Sequence, residues 1–143
     1  MKPPLYFEAV AEGMDLPPLV KRPTIVSVFR YSAVTWNSHR IHYDRAWAEH
    51  EGYPGVLVQA HLHGAYLTQM VMDWIGPTGF LKKLAWTNRH FAVPGDTLTC
   101  KGRVVRKHAA ERLVDCEIWE ENQEGRICAP GTAQVLLPAR ETP

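Results

Sequence analysis

The hydrophobic period of this chain changes once, near residue 76, from the period of a helix to that of a strand. Ahead of that point, large apolar side chains recur at every fourth position of one segment. They are Leu62, Tyr66, Met70 and Trp74. This spacing predicts a single long amphipathic helix, and Gly76-Pro77 predicts its end.

Beyond Phe80 the period is two, which is typical of strands. The first predicted strand covers 84–91 and is followed by a turn at Pro94-Gly95-Asp96. Three more strands are predicted from apolar positions on one face: Leu98, Cys100 and Val104; Val114, Cys116 and Ile118; Ile127, Ala129, Ala133 and Val135. A turn at 122–125 separates the last two, and Pro130-Gly131 predicts a bulge or an edge position. One long helix followed by a meander of antiparallel strands predicts an α+β fold, in which the sheet buries its apolar face against the helix.

The first part of the chain carries weaker signals. Five prolines within residues 1–23 predict an extended lead-in with little regular structure. Thr24 to Arg30 fits either a strand or a strand that turns into a helix, because its periodicity does not decide between them. A short helix is predicted from Asp44 to Glu51, with Asp44 as its N-cap and Gly52 at its end.

Length and charge narrow the classes of protein. A chain of 143 residues is expected to form one domain, 1–143. Sixteen Lys and Arg against fifteen Asp and Glu leave a charge of +1 without charged blocks, so neither a nucleic-acid nor a membrane partner is expected. The N-terminus lacks the apolar stretch of a signal peptide, which favours the cytoplasm. Three cysteines that match no zinc or redox spacing are expected to be buried free thiols.

Residues that can carry chemistry are concentrated just before the short helix. They are Asn37, His39, Arg40, His42 and Asp44. A helix N-terminus presents free N–H groups to an anionic ligand or a developing oxyanion, and a histidine there suits acid–base work. Each residue also has a purely structural interpretation, such as an N-cap for Asp44 or a surface cation for Arg40. A metal site is not predicted, because the histidines do not follow a known ligand spacing.

The segment FRYSAVTWNSHRIHYD, followed by YPGVLV, resembles the MaoC-like branch of the hot-dog fold. It is most similar to the type-2 hydroxyacyl-thioester dehydratases and the mesaconyl-CoA-type hydratases. The flanks YFEAVAEGMDLPPL and VPGDTL resemble the same family. The resemblance implies a single hot-dog domain, in which an antiparallel sheet wraps one long central helix and two chains pair.

The resemblance also implies roles for individual residues. Hydratases of this family carry the motif D-x-N-P-x-H. His42 takes the place of its histidine, Asn37 that of its aspartate and His39 that of its asparagine. Asp44 takes the place of the acidic residue that follows the motif. Ala60 takes the place of the glycine whose N–H is the oxyanion donor, Gln59 that of the histidine before it, and Thr68 that of an orienting hydroxyl. Arg40 is a candidate for binding substrate, and Asp44 and His39 are alternative acid–base groups.

These roles imply reversible hydration of a 2-enoyl thioester, carried by CoA or an acyl carrier, without metal or cofactor. A thioesterase is one alternative, although it needs a carboxylate on the long helix and 56–72 contains none. A noncatalytic MaoC-like subunit is the other, because TQMVMDWIGPTGFLKKL is similar to small subunits of heteromeric steroid enoyl-CoA hydratases. The expected assembly is a homodimer or a heteromer with another MaoC-like chain.

Overall fold

The computed structural model describes residues 3–140 and contains three α-helices and five strands within them. The helices are α1 (Ile25–Thr35), α2 (Arg45–His50) and α3 (Ala60–Ile75). The strands are β1 (Leu19–Lys21), β2 (Phe80–Trp86), β3 (Leu98–His108), β4 (Leu113–Glu121) and β5 (Ile127–Leu136). Two 3-10 turns, Phe7–Ala9 and Arg40–His42, complete the regular structure.

The five strands form one antiparallel sheet in the order β1-β3-β4-β5-β2. α3 packs against this sheet and contacts all five strands. The main core lies between them and contains Leu67, Met70, Val71, Trp74 and Ile75 of α3 together with inward residues of the strands. The predicted α+β arrangement is therefore confirmed.

The long helix begins at Ala60 and ends at Ile75, where Gly76 adopts a φ of 67°. Leu62, Met70 and Trp74 of the predicted stripe are buried, and Tyr66 is half-buried. Within the part of the chain that the structure describes, no helix combines the length and apolar character that crossing a membrane requires.

The ambiguous segment after Thr24 is a helix. Thr24 Oγ1 accepts a hydrogen bond from the Ser27 N–H, and Ser27 Oγ accepts one from the Thr24 N–H. This capping box satisfies two backbone donors that the first turn of α1 leaves free. α2 is one residue shorter at each end than predicted, and Asp44 is its N-cap as predicted: the Asp44 carboxylate accepts from the Trp47 N–H at 3.1 Å.

Three sequence predictions need correction. The strand predicted over 84–91 ends at Trp86: Thr87 still donates to the Pro130 carbonyl, but proline has no N–H to return. The predicted edge position at Pro130-Gly131 is wrong, since β5 lies between β4 and β2. The register shift between β5 and β4 falls nearby, at Cys128. The lead-in is more regular than expected, because β1 pairs with β3 and Phe7, Val10 and Leu16 enter the core.

Candidate active site

A cavity of about 430 Å³ opens where the turn Arg40–His42, the start of α3 and the segment after β2 meet. Three of the sequence-predicted residues, Asn37, His42 and Ala60, share its lining. The remaining lining residues are Ile41, Tyr53, Leu57, Val58, His63, Asn88, Arg89, His90 and Phe91. The candidate site thus combines two neighbouring loops with one helix N-terminus.

His42 has the geometry of a general base. It is 8% exposed, and its Nδ1 lies 2.8 Å from the Leu57 carbonyl oxygen. A carbonyl only accepts, so Nδ1 carries the proton and donates, and Nε2 of the neutral ring is left as an acceptor. Burial lowers the pKa of His42; the hydrogen bond to Leu57 opposes this shift and the nearby His39 adds to it. The tautomer leaves Nε2 free to accept a proton, and the lowered pKa keeps the ring neutral, and so available as a base, at neutral pH.

Asn37 is held where α1 ends. Trp36 adopts a left-handed conformation with φ 55°, and the Asn37 N–H donates to the Ser32 carbonyl at 2.9 Å. The side-chain oxygen Oδ1 accepts from the His39 N–H at 3.2 Å. An amide oxygen has a second lone pair, so Oδ1 can also accept from a water molecule in the cavity.

Ala60 is the first residue of α3, so its N–H has no partner within the helix and points out of the helix start. The Trp86 indole fixes this end by donating from Nε1 to the Ala60 carbonyl oxygen at 3.2 Å. The ring lies against Gly64, where any Cβ would come within 2.3 Å of it. β2 therefore sets the position of the helix end that faces the cavity.

Arg40, Asp44 and His39 lie outside the lining. Arg40 pairs with Asp44 at 2.5 Å and stacks over the Trp47 ring at 4.2 Å. The Arg40 hydrogen bond, followed by the Trp47 N–H, lowers the pKa of Asp44, which makes it a poor proton donor. His39 Nδ1 accepts from the Ile41 N–H at 3.3 Å, and its ring meets the His42 ring edge-on. Their observed contacts fit the structural interpretation.

Gln59 and Thr68 also make structural contacts. Gln59 is fully buried and its Nε2 donates to the Val28 carbonyl and to Ser32 Oγ, which ties α1 to the start of α3. Its Oε1 is buried without a hydrogen-bond partner among residues 3–140. Thr68 Oγ1 donates to the Gly64 carbonyl one turn earlier in its own helix.

Sequence reasoning missed a buried histidine–carboxylate pair at this cavity. His63 lines the cavity and its Nδ1 contacts Glu120 Oε1 on β4; the two side chains are 3% and 0% exposed. The sequence does contain one indication of this pair: Glu120 lies two residues after Ile118, on the same strand face as Val114, Cys116 and Ile118, which are buried. An acidic residue on an apolar strand face requires a partner. In the described part of the chain, no cluster of three or more His, Cys, Asp or Glu side chains is arranged to hold a metal.

Comparisons with known proteins relate this arrangement to thioester chemistry. The model of the family described as hydroxyacyl-thioester dehydratase type 2 matches residues 17–93. A mesaconyl-C(4)-CoA hydratase from Chloroflexus aurantiacus is 51% identical over 47 residues, which are 32% of this chain. The match spans only 15% of that hydratase.

Solved structures show the fold. The R-hydratase PhaJ1 from Pseudomonas aeruginosa superposes with a TM-score of 0.87 at 18% identity, over 96% of this chain and 93% of that one. A chain of the ChsH1-ChsH2 complex from Mycobacterium tuberculosis gives 0.81 at 20% identity, over 89% of this chain and 98% of that one. The fold is thus the expected hot-dog, a curled antiparallel sheet with a helix packed against it. Because the family match covers more than half of its residues, this chain belongs to the type-2 hydroxyacyl-thioester dehydratase family.

Proposed function

We propose that this protein catalyses the reversible addition of water to a 2-enoyl thioester, forming a 3-hydroxyacyl thioester. The observation that carries the proposal is the hydrogen bond between His42 Nδ1 and the Leu57 carbonyl oxygen. It assigns the proton to Nδ1 and leaves Nε2 as an acceptor, and His42 lines a cavity together with the free N-terminus of α3. The family to which the chain belongs supports the same reaction.

Each group has a defined role in this reaction. Asn37 Oδ1 holds the attacking water, and His42 Nε2 takes its proton as the oxygen bonds to Cβ. The Ala60 N–H, reinforced by the positive end of α3, stabilises the negative charge that develops on the thioester oxygen. General acid–base catalysis contributes typically ~10²- to 10⁴-fold and one oxyanion donor a comparable factor, which suits an already activated substrate.

The carrier of the acyl group is the finer part of the proposal. Arg89 is exposed and lines the cavity, and Arg126 reaches the same rim, where its Nη1 lies 3.1 Å from His90 Nε2. Two guanidinium groups at the opening suit a phosphate-bearing carrier, because one guanidinium can donate two parallel hydrogen bonds to two oxygens of a phosphate. CoA and a phosphopantetheine arm share this chemistry, so either fits the rim.

A partner chain is the second part of the proposal. β2 is an edge of the sheet, and we infer that it pairs with a second hot-dog chain, either a copy of this one or another MaoC-like subunit. The noncatalytic-subunit alternative is favoured by Asn37, which cannot exchange a proton as an aspartate can, and by the likeness of TQMVMDWIGPTGFLKKL to small hydratase subunits. The complete acid–base geometry of His42 favours a catalytic subunit.

Turnover of crotonyl-CoA tests the proposed reaction. The purified protein is expected to remove the ultraviolet absorbance of the conjugated thioester and to form 3-hydroxybutyryl-CoA, identified by mass spectrometry. His42→Ala should lower this rate by at least ~100-fold because it removes the base. His50→Ala, which removes an exposed histidine of α2 outside the cavity, should leave the rate unchanged.

Equal rates for wild type and His42→Ala would disprove the assigned role, and release of free CoA thiol instead of hydration would indicate a thioesterase.

The pH profile gives an independent check of the role of His42. His42 acts in its neutral form and burial lowers its pKa, so on the acid side kcat/KM should begin to fall at a pH below the ordinary imidazole value of ~6.5.

A further inference from the structure

The contact between His63 and Glu120 is more deeply buried than any other contact between a basic and an acidic side chain among the described residues. Besides its contact with His63, Glu120 accepts a weak hydrogen bond from the Cys100 thiol, with 3.7 Å between Sγ and Oε2. Replacing a buried ion pair by apolar side chains is often neutral for stability or even favourable. Stability alone therefore does not explain why an acid and an imidazole occupy this part of the core.

The position of His63 relates the pair to the cavity. Nδ1 is engaged by Glu120, which leaves Nε2 as the ring atom that can face the cavity lining to which His63 belongs. His63 follows Ala60 by three residues on α3, so the two lie on the same face of the helix, one turn apart. Cα of an enoyl thioester is bonded to the carbonyl carbon whose oxygen Ala60 would hold. A side chain one turn from Ala60, about 5 Å along the helix, is therefore within reach of Cα of a thioester bound in this way.

The other titratable side chains of the lining are less suited to that position. Tyr53 packs edge-on against Phe91, and His90 Nε2 contacts the Arg126 guanidinium. His42 is bonded to a neutral carbonyl oxygen, which cannot neutralise an imidazolium. Among the described lining residues, His63 is the imidazole that has a carboxylate behind it.

We propose that His63, positioned by Glu120, exchanges the proton at Cα of the substrate; this inference rests on the proposed hydration. His42 Nε2 takes a proton from water, the water oxygen bonds to Cβ, and the C=C electron pair moves into the thioester as an enolate. In this step His63 is an imidazolium paired with the Glu120 carboxylate; the enolate takes its Nε2 proton, the Cα–H bond forms, and the neutral ring keeps its Nδ1 proton on Glu120. Solvent carries the proton of His42 back to His63, so the net change is the addition of one water with no oxidation or reduction.

Exchange of the Cα hydrogen of 3-hydroxybutyryl-CoA with D2O isolates the His63 step, because exchange requires deprotonation of Cα but no cleavage of the C–O bond. In His42→Ala, hydration should be lost while Cα exchange persists. In His63→Gln, both hydration and exchange should fall by at least ~100-fold. Glu120→Gln should lower exchange with little change in KM, as expected of a positioning residue. Mass spectrometry of the recovered ester gives the exchange rate.

His108→Gln is the matched control, since His108 also pairs with a carboxylate, Asp115 at 2.7 Å, but lies outside the cavity lining. The double variant His63→Gln with Glu120→Gln leaves two neutral amides that can bond each other, which guards against loss of folding; melting curves verify this. A folded His63→Gln or double variant that still exchanges Cα hydrogen at the wild-type rate would overturn the proposal while hydration stands. A wild-type protein without hydration or exchange would overturn the proposed function, and this inference with it.

Discussion

Asn37 makes a structural contact and also has a chemical role in the proposed reaction. Its side-chain oxygen closes the turn after α1 through the His39 N–H, and its side chain also lines the cavity beside His42. Loss of the turn alone would lower stability, whereas loss of the water contact would lower turnover. The two functions can be separated because they respond differently to alanine and aspartate.

We expect Asn37→Ala to lower turnover by orders of magnitude and to reduce stability by ~0.5 to 2 kcal/mol, as the loss of a capping side chain does. Asn37→Asp should keep the contact to the His39 N–H, since a carboxylate oxygen also accepts, and should retain or increase turnover at neutral pH. Melting temperature and turnover are measured on both variants. A destabilised Asn37→Ala protein with full activity would limit Asn37 to the turn.

How much of the site the sequence predicts depends on the separation of its residues along the chain. Asn37 and His42 are five residues apart, and the local motif predicts that they meet. His63 and Glu120 are 57 residues apart, and only the packing of β4 against α3 brings them together. The cluster before α2 predicts Arg40 and Asp44 as site residues, and the resemblance predicts Gln59 and Thr68. All four make contacts with groups outside the cavity lining, and their roles in the reaction stay predictions.

At the scale of elements, the same distinction separates α3 from α1. The period of α3 runs for four turns and is bounded by Gly76, so the sequence predicts it well. α1 carries β-branched residues and exposes Ile25, Val26 and Phe29, so its apolar pattern does not follow the core. Its helical form depends on the capping box at Thr24 and on the hydrogen bonds from the Gln59 side chain. The hydrophobic period of the sequence does not reveal these contacts.

The contact between α3 and β2 leads to a prediction for Gly64. Gly64→Ala places a methyl group within 2.3 to 2.6 Å of the Trp86 ring, so either the indole or the start of α3 must move. Overpacking of this kind costs roughly 1–3 kcal/mol. Movement of the indole also breaks its bond to the Ala60 carbonyl, so turnover should fall along with the melting temperature.

Gly55→Ala is the matched control, because its added methyl group meets nothing within 4 Å. That variant should keep the wild-type melting temperature and rate. If Gly64→Ala were as stable and active as Gly55→Ala, the Trp86 contact would not determine the position of the helix end.

At the scale of the whole molecule, apolar surface is distributed unevenly. The outer side of α1 and the edge strand β2 carry the exposed large side chains Phe29, Val34, Trp36 and Phe80, with exposures of 59–89%. β2 also has one row of backbone groups without a neighbouring strand, whereas the opposite edge, β1, is only three residues long. Exposed apolar residues beside an open strand edge favour a partner at β2 over one at β1.

We therefore expect the purified chain to be a dimer at micromolar concentration by light scattering, with β2 at the interface. Phe80→Glu would bury an unpaired carboxylate there and should raise the dimer dissociation constant by at least ~10-fold, which corresponds to ~1.4 kcal/mol. Val105→Glu is the matched control, because Val105 is 57% exposed on β3, which β4 and β5 separate from β2. A monodisperse wild-type monomer would rule out self-pairing, and equal effects of the two substitutions would exclude β2 as the interface.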